Sequence, residues 1–214
     1  MGNKNSIPVI ENLENLCDQY IEIVKKVNEV KRIFLNEELL RDNVQIYLEK
    51  FDSNQQINLN EFSMYWIWSV HKLYPMQYKN KKKLEKEFLF QTCLKQKKFY
   101  LNLKNDLKNY KFKKWLKDYE KFLKLIKKNP FKDLAPTLKQ DFIWQAHMQD
   151  NEQYIKYTLE YLGKILDHNE NLISKKSEET KINTQFVKKK NKKKVRIISP
   201  NYNKNYYLLQ QKLS

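Results

Sequence analysis

The sequence predicts an all-α protein, and three observations support that prediction. Apolar residues recur at helical spacing along most of the chain, so that each set forms one stripe on a helix. The first stripe consists of Leu13, Leu16, Cys17, Tyr20, Val24 and Val27. The alternating pattern of a β-strand is absent apart from a weak run at residues 195–198. Glycine occurs only twice in 214 residues, which disfavours a fold rich in hairpins, because tight hairpin turns often need a positive φ.

Two further stripes and several terminal signals place the later helices. The second stripe consists of Leu40, Val44, Tyr47, Leu48 and Phe51, and the third of Trp115, Tyr119, Phe122, Leu123 and Ile126. We expect the third helix to end at Asn129-Pro130, because the residue before a proline is disfavoured in the α region. Thr137 and Gln140 have the spacing of a capping box, which predicts that the next helix begins there.

Basic residues outnumber acidic ones by 42 to 25, and they cluster near the C-terminus. A net charge of +17 favours anionic partners, although an AT-biased genome would also enrich lysine without selection for binding. The densest cluster consists of Lys188, Lys189, Lys190, Lys192, Lys193, Lys194 and Arg196. We therefore predict an N-terminal arm at residues 1–7, a helical domain at 8–185 and a basic tail at 186–214. A solvated charge run without a ligand is the alternative interpretation of the tail.

Neither a membrane-spanning segment nor a disulfide framework is expected. The longest apolar run, around residues 62–70, is far shorter than the roughly 18 residues that cross a bilayer. The N-terminus lacks the apolar region of a signal peptide. Cys17 and Cys93 do not have the spacing of a metal-binding pair, so we expect buried thiols in a reducing compartment.

A motif of Trp, His three residues later and Tyr ten residues after the Trp occurs twice. The copies are Trp68, His71 and Tyr78, and Trp144, His147 and Tyr154. Both predict a helix that ends near the histidine and a second helix that carries the tyrosine. Pro75 suits the first position of that second helix, and Asp150 with Gln153 forms an acidic capping box at the equivalent place. The sequence therefore predicts duplicated helix-turn-helix units, and an internal duplication is the simplest explanation.

Several residues occur in an order and spacing that resemble a known family. They are Pro136, Thr137, Leu138, Asp141, Trp144, His147, Tyr154, Leu162, Gly163, Asp167 and His168. Over roughly residues 36–170 the chain resembles the glycine-rich-domain-protein-like (GRDP-like) family, in which a Trp-His-x-His motif is followed by Tyr and by Leu-Gly-x-x-Leu-Asp-His. The segment WIWSVHKLYPMQYKN resembles the family's other Trp-x-x-His segment. Gln145 replaces the first histidine of the motif here, and the family's glycine-rich region is missing. The resemblance implies a fold but no settled activity.

We interpret the Trp and His residues as packing residues. Trp144 and His147 share a helix face, and Asp141 is expected to accept a hydrogen bond from His147 or to cap a neighbouring helix. A glycine in a helix interior costs about 1 kcal/mol relative to alanine. We therefore expect that Gly163 lies in a helix interior and allows another helix to approach closely.

A metal site is the competing interpretation, with His71, His147, His168 and Asp167 as its ligands. The ligand spacings typical of zinc sites are missing. Neither a nucleophile elbow nor a phosphate-binding glycine loop is evident. We therefore expect no cofactor and no enzymatic activity, with a metal-dependent enzyme as the remaining alternative.

The two ends of the chain carry the functional signal. The start, MGNKNS, fits the myristoylation pattern M-G-x-x-x-[ST] through Gly2 and Ser6. One myristoyl chain attaches only marginally, so a second signal is needed, and the basic tail would supply it. We expect a non-enzymatic interaction or adaptor protein at an anionic cytoplasmic surface, in the first place a membrane. The alternative is a structural subunit of a larger cytoskeletal, ciliary or ribonucleoprotein complex whose tail binds an acidic partner. Nucleic acid is less favoured, because no nucleic-acid-binding fold accompanies the basic residues.

Overall fold

The computed structural model describes residues 7–29, 36–80, 84–130 and 134–168, and these contain eight helices and no strand. The helices are α1 (Leu13–Glu29), α2 (Glu37–Asp52), α3 (Phe62–His71), α4 (Pro75–Lys79), α5 (Lys86–Leu107), α6 (Phe112–Lys128), α7 (Leu138–Met148) and α8 (Asn151–Leu162). The predicted all-α fold is confirmed. Gly2, the weak strand pattern at 195–198 and the basic tail all lie outside the described residues.

The three predicted stripes face the core. All residues of the first and third stripes are buried, and so are those of the second except Phe51, which is partly buried and packs against the core. Burying one such side chain stabilises the fold by about 1.5–3 kcal/mol. In proteins, most of the stability of a helix comes from packing its apolar face rather than from helix propensity. Tertiary burial of the stripes therefore holds α1, α2 and α6 in place. Cys17 and Cys93 are buried thiols, as predicted, and burial raises the pKa of Cys17 to about 12.

The predicted helix ends are confirmed where the structure describes them. Asn129 is the C-terminal cap of α6, and Thr137 with Gln140 forms a reciprocal capping box at the start of α7. Pro75 is the first residue of α4. The side chain of Asp150 accepts a hydrogen bond from the backbone N–H of Gln153 at the start of α8. Local side-chain chemistry thus sets these boundaries.

The predicted role of Gly163 is wrong. Gly163 is the C-terminal cap of α8, with a φ of 73° in the left-handed region. No heavy atom lies within 4 Å of the position that a Cβ would occupy there. A glycine is needed because the chain must leave α8 in a left-handed conformation, which costs a residue with a Cβ about 1–2 kcal/mol. Residues 164–168 then return across the helical body.

The helices pack in two groups that meet along α7. α1 packs against α5 and α7, α2 packs against α3 and α5, and α6 packs against α7 and α8. α4 contacts α8, which brings the two predicted helix-turn-helix units together. Within the described ranges, no helix combines the length and apolar character needed to cross a bilayer.

Candidate functional site

The first Trp/His unit joins α2, α3 and α4 through hydrogen bonds between aromatic side chains. Trp68 on α3 donates its Nε1–H to the hydroxyl of Tyr78 on α4 over 2.8 Å. Nδ1 of His71 lies 2.9 Å from the hydroxyl of Tyr47 on α2. The imidazole also meets the ring of Tyr78 edge to face, with centroids 5.3 Å apart. One tryptophan and one histidine thereby tie α3 to the helices before and after it.

The second unit makes the same set of contacts between α6, α7 and α8. Trp144 donates its Nε1–H to the hydroxyl of Tyr154 over 2.8 Å. Nδ1 of His147 lies 3.1 Å from the hydroxyl of Tyr119, and its ring meets Tyr154 edge to face at 4.9 Å. The equivalent contacts fit an internal duplication, which stays a prediction about the origin of the chain.

Burial explains why the hydrogen bonds at Nδ1 of His71 and at Nδ1 of His147 matter for packing. The exposed fractions of His71, His147 and His168 are 0, 1 and 2%. A buried indole N–H without an acceptor would cost about 1–3 kcal/mol, so the Trp–Tyr hydrogen bond favours one arrangement of the two helices. Burial lowers the pKa of His71 to about 4 and that of His147 to about 3. Both imidazoles are therefore neutral at neutral pH.

The segment after Gly163 closes the second unit. His168 Nε2 lies 2.9 Å from Asp141 Oδ1, and these two side chains are 0 and 2% exposed. The hydroxyl of Tyr154 donates to the carbonyl oxygen of Leu166 over 2.7 Å. The rings of Trp144 and His168 also pack together at 5.4 Å. The Leu-Gly-x-x-Leu-Asp-His motif therefore reverses the direction of the chain after α8 and holds the following segment against α7.

The predicted contact between Asp141 and His147 is wrong. The partner of Asp141 is His168, and the partner of His147 is Tyr119. Six residues separate Asp141 from His147, which rotates them by about 120° around the helix axis, so they face different neighbours. Asp141 does not cap a neighbouring helix either, because its carboxylate binds the imidazole.

A buried polar network connects His168 to α1 and α5. The side-chain amide of Gln145 lies 3.2 Å from His168 Nε2 and 2.6 Å from the hydroxyl of Tyr20 on α1. That hydroxyl lies 3.0 Å from the hydroxyl of Tyr100 on α5. Gln145, which replaces a histidine of the family motif, thus connects α7 to α1 and α5. Sequence reasoning missed these contacts, because the two tyrosines appeared only as apolar stripe members or not at all.

The two units meet where α3 and α7 end. Lys72 donates from Nζ to the carbonyl oxygen of Gln149 over 2.7 Å, and its ammonium lies 3.5 Å from the centroid of the Trp68 ring. Asn151 donates to the carbonyl oxygens of Lys72 and Met148, at 2.9 and 2.6 Å. Burial lowers the pKa of Lys72 to about 8, while nearby Asp150 opposes that shift. Each unit therefore satisfies carbonyl groups that the other's helix end leaves without an intrahelical donor.

Asp167 extends this junction to α4. It accepts a hydrogen bond from the backbone N–H of Met76, and burial raises the pKa of its carboxyl group. The backbone N–H of His168 also points to the carbonyl oxygen of Leu73 at 3.4 Å. Asp167 and His168 therefore bind different units. The side chain of Asp167 contacts α4 of the first unit, and that of His168 contacts Asp141 on α7 of the second.

Pro136 is half-buried and directly precedes the capping residue of α7.

The three histidines do not converge on one another. Each has its own partner: Tyr47, Tyr119 and Asp141. No group of three or more His, Cys, Asp or Glu side chains within the described part of the chain could hold a metal ion. A cleft of about 140 Å³ opens beside Lys72 and Trp68, which is smaller than the roughly 300 Å³ of typical ligand pockets.

Residues 79–157 match the sequence model of a family described as glycine-rich domain-containing protein-like (GRDP-like). The match includes Tyr119, Trp144, His147 and Tyr154 of the second unit, and it is narrower than the predicted range of residues 36–170. Searches of curated proteins and of solved structures found no match to the chain. The predicted resemblance to the GRDP-like family is therefore confirmed over residues 79–157, where the sequence of this chain is similar to the family model.

Proposed function

We propose that this protein is a non-enzymatic interaction module that attaches to the anionic cytoplasmic face of a membrane. The observation that carries the proposal is the burial of the motif histidines and of His168, which are at most 2% exposed. One ring nitrogen of each binds a tyrosine or aspartate side chain from another part of the fold, and these contacts hold the helices together. On this view the helical domain is a scaffold, and attachment depends on the surface and the two ends of the chain.

Attachment combines a lipid on Gly2 with the basic tail at residues 186–214. A single myristoyl chain binds membranes only marginally, with an association constant of about 10⁴ M⁻¹. Each basic residue near an anionic leaflet adds on the order of 1 kcal/mol, and salt screens that attraction. The seven basic residues between positions 188 and 196 would therefore convert weak attachment into stable attachment at low ionic strength.

The first experiment measures the mass of the N-terminal peptide from protein isolated from its native cells. We expect a peptide that lacks the initiator methionine and carries an amide-linked myristoyl group on Gly2. The second experiment compares the sedimentation of wild-type and Gly2→Ala protein with phosphatidylserine-containing vesicles across a salt series. A Gly2→Ala protein that binds the vesicles as tightly as the lipidated wild type would refute the lipid attachment.

The basic tail is also compatible with an acidic protein partner in a larger assembly, such as the cytoskeleton, or with RNA. A variant in which all seven tail residues are changed to glutamine tests this second candidate. The variant and the wild type are compared for binding to vesicles, to microtubules and to RNA. A loss that affects microtubules or RNA but leaves vesicle binding intact would replace the membrane proposal with a structural role in that assembly.

A further inference from the structure

We propose that α6 carries a second membrane-binding surface, and this inference deepens the membrane attachment proposed above. α6 buries its apolar stripe and exposes lysine side chains on the opposite side. Six of the seven exposed lysines form what we call the α6 lysine stripe: Lys113, Lys114, Lys117, Lys121, Lys124 and Lys128. At 100° and 1.5 Å per residue, these positions span an arc of roughly 100° and a length of about 22 Å. The seventh, Lys127, lies outside their arc, with its ammonium 4.1 Å from the centroid of the Tyr161 ring. The stripe therefore forms one narrow, continuous band.

The stripe is positively charged along its whole length. The acidic residues of α6, Asp118 and Glu120, are only partly exposed and lie about 40° and about 20° beyond the two edges of the arc. Lys121 forms an ion pair with Asp118 over 2.7 Å. An exposed pair of this kind contributes little and is weakened by salt, so it removes only part of the charge of the stripe.

General lysine enrichment does not explain this face, because α1 and α2, which are also amphipathic, have the opposite charge. α1 contains two lysines and four acidic residues. α2 contains one arginine and one lysine but five acidic residues. The acidic residues of both helices are exposed. α6 contains seven lysines against two acidic residues. A genomic bias would raise lysine in all three helices, so the charge is segregated onto particular surfaces of the domain.

A planar anionic surface fits the stripe better than a nucleic acid does. The lysines lie along the outward side of one helix, so their long side chains can reach a single plane together. Trp115, Tyr119 and Phe122 point into the core, which leaves no aromatic ring of the apolar stripe for stacking on bases. Leu125, which is 47% exposed, lies at the edge of the arc and is the apolar side chain nearest to it. These features point to anionic lipid headgroups as the partner.

The proposal also predicts one orientation of the domain on the membrane. The stripe would face the lipid, while the acidic outer faces of α1 and α2 would be repelled by it. Because each basic residue near an anionic leaflet strengthens attachment about fivefold, a few lysines of the stripe suffice for a measurable effect.

The test uses the full-length protein and two variants with equal changes in charge. The stripe variant carries Lys113→Gln, Lys117→Gln and Lys124→Gln, and the control carries Lys98→Gln, Lys104→Gln and Lys108→Gln on the exposed side of α5 and its C-terminal cap. Binding is measured with phosphatidylcholine vesicles that contain phosphatidylserine, and with pure phosphatidylcholine vesicles for comparison. Circular dichroism and thermal unfolding verify that both variants are folded.

We expect the stripe variant to bind the phosphatidylserine vesicles at least tenfold more weakly than wild type, and the control to remain within about twofold. Equal weakening in the two variants, or no weakening in either, would overturn the proposal. So would a stripe variant that loses binding to duplex RNA or to polyglutamate while it still binds the vesicles.

A third variant separates this result from the membrane attachment through the chain ends. This variant, which we call the end variant, combines Gly2→Ala with glutamine at the seven basic tail positions. It is measured with and without the three substitutions of the stripe variant. If the end variant binds the vesicles like wild type but the stripe substitutions weaken that binding, attachment through the chain ends is refuted and the stripe proposal is supported. If the end changes weaken binding and the stripe changes do not, the stripe proposal alone is overturned.

Discussion

Acidification should destabilise the domain through His71 and His147. Burial lowers the pKa of these imidazoles to about 4 and about 3, whereas an unfolded histidine has a pKa of about 6.5. Between those values the unfolded chain binds more protons than the folded protein does. The stability that the neutral rings provide is therefore complete above about pH 6.5 and is lost as the pH falls toward the folded pKa values.

The size of the effect follows from these pKa differences. At pH 5, compared with pH 8, each histidine lowers the free energy of unfolding by about 2 kcal/mol, so the pair lowers it by about 4 kcal/mol. A domain of this size has a total stability of roughly 5–15 kcal/mol. Mild acid alone should therefore remove a large fraction of it.

Urea unfolding followed by far-UV circular dichroism, repeated from pH 8 to pH 5, measures this loss. Wild type is compared with His71→Gln and His147→Gln, each of which removes one titrating ring. Each variant should be less stable at pH 8 but should lose about 2 kcal/mol less than wild type on acidification to pH 5. The other titrating groups contribute equally to wild type and to each variant, so their contributions cancel when the losses of stability are subtracted.

A Leu123→Ala variant is the matched control, because it destabilises the core without removing a titrating group. As the pH is lowered, its free energy of unfolding should decrease in parallel with that of wild type. If His71→Gln and His147→Gln also run parallel to wild type, the two imidazoles do not titrate as their burial requires, and the reasoning is refuted.

Three further predictions concern the contacts around α8 and are measured by urea unfolding at neutral pH. Tyr154→Phe should cost about 2–4 kcal/mol and more than Tyr78→Phe, because Tyr154 both accepts from an indole N–H and donates to a buried carbonyl; equal costs would contradict this. Gly163→Ala should cost about 1–2 kcal/mol through backbone strain alone, and Gly163→Asn should cost less. An alanine variant as stable as wild type would rule out the left-handed cap. His168→Leu should cost about 3–5 kcal/mol by leaving the Asp141 carboxylate buried without its partner, and adding Asp141→Asn should recover part of that loss; strictly additive costs would show that the pair is not coupled.

The sequence alone predicted the all-α fold class, the stripes of α1, α2 and α6, and the boundaries at Pro75 and Thr137. These features depend on short-range physics. Helical periodicity, proline geometry and capping hydrogen bonds act within a few residues of the chain, so the local pattern of side chains is sufficient to identify them. The same local reasoning predicted that the Trp/His motifs pack helices against one another.

Only the tertiary structure decided which partner each of those polar groups has. Tyr47 lies 24 residues before His71, and Tyr119 lies 28 residues before His147, so no local spacing reveals either hydrogen bond. Asp141 binds His168 rather than His147, and Gly163 ends a helix rather than allowing another helix to approach a helix interior. Both differences arise because the returning segment is held by contacts from elsewhere in the fold. Such partners are selected by the way helices approach one another in three dimensions, and that information is distributed over the whole chain.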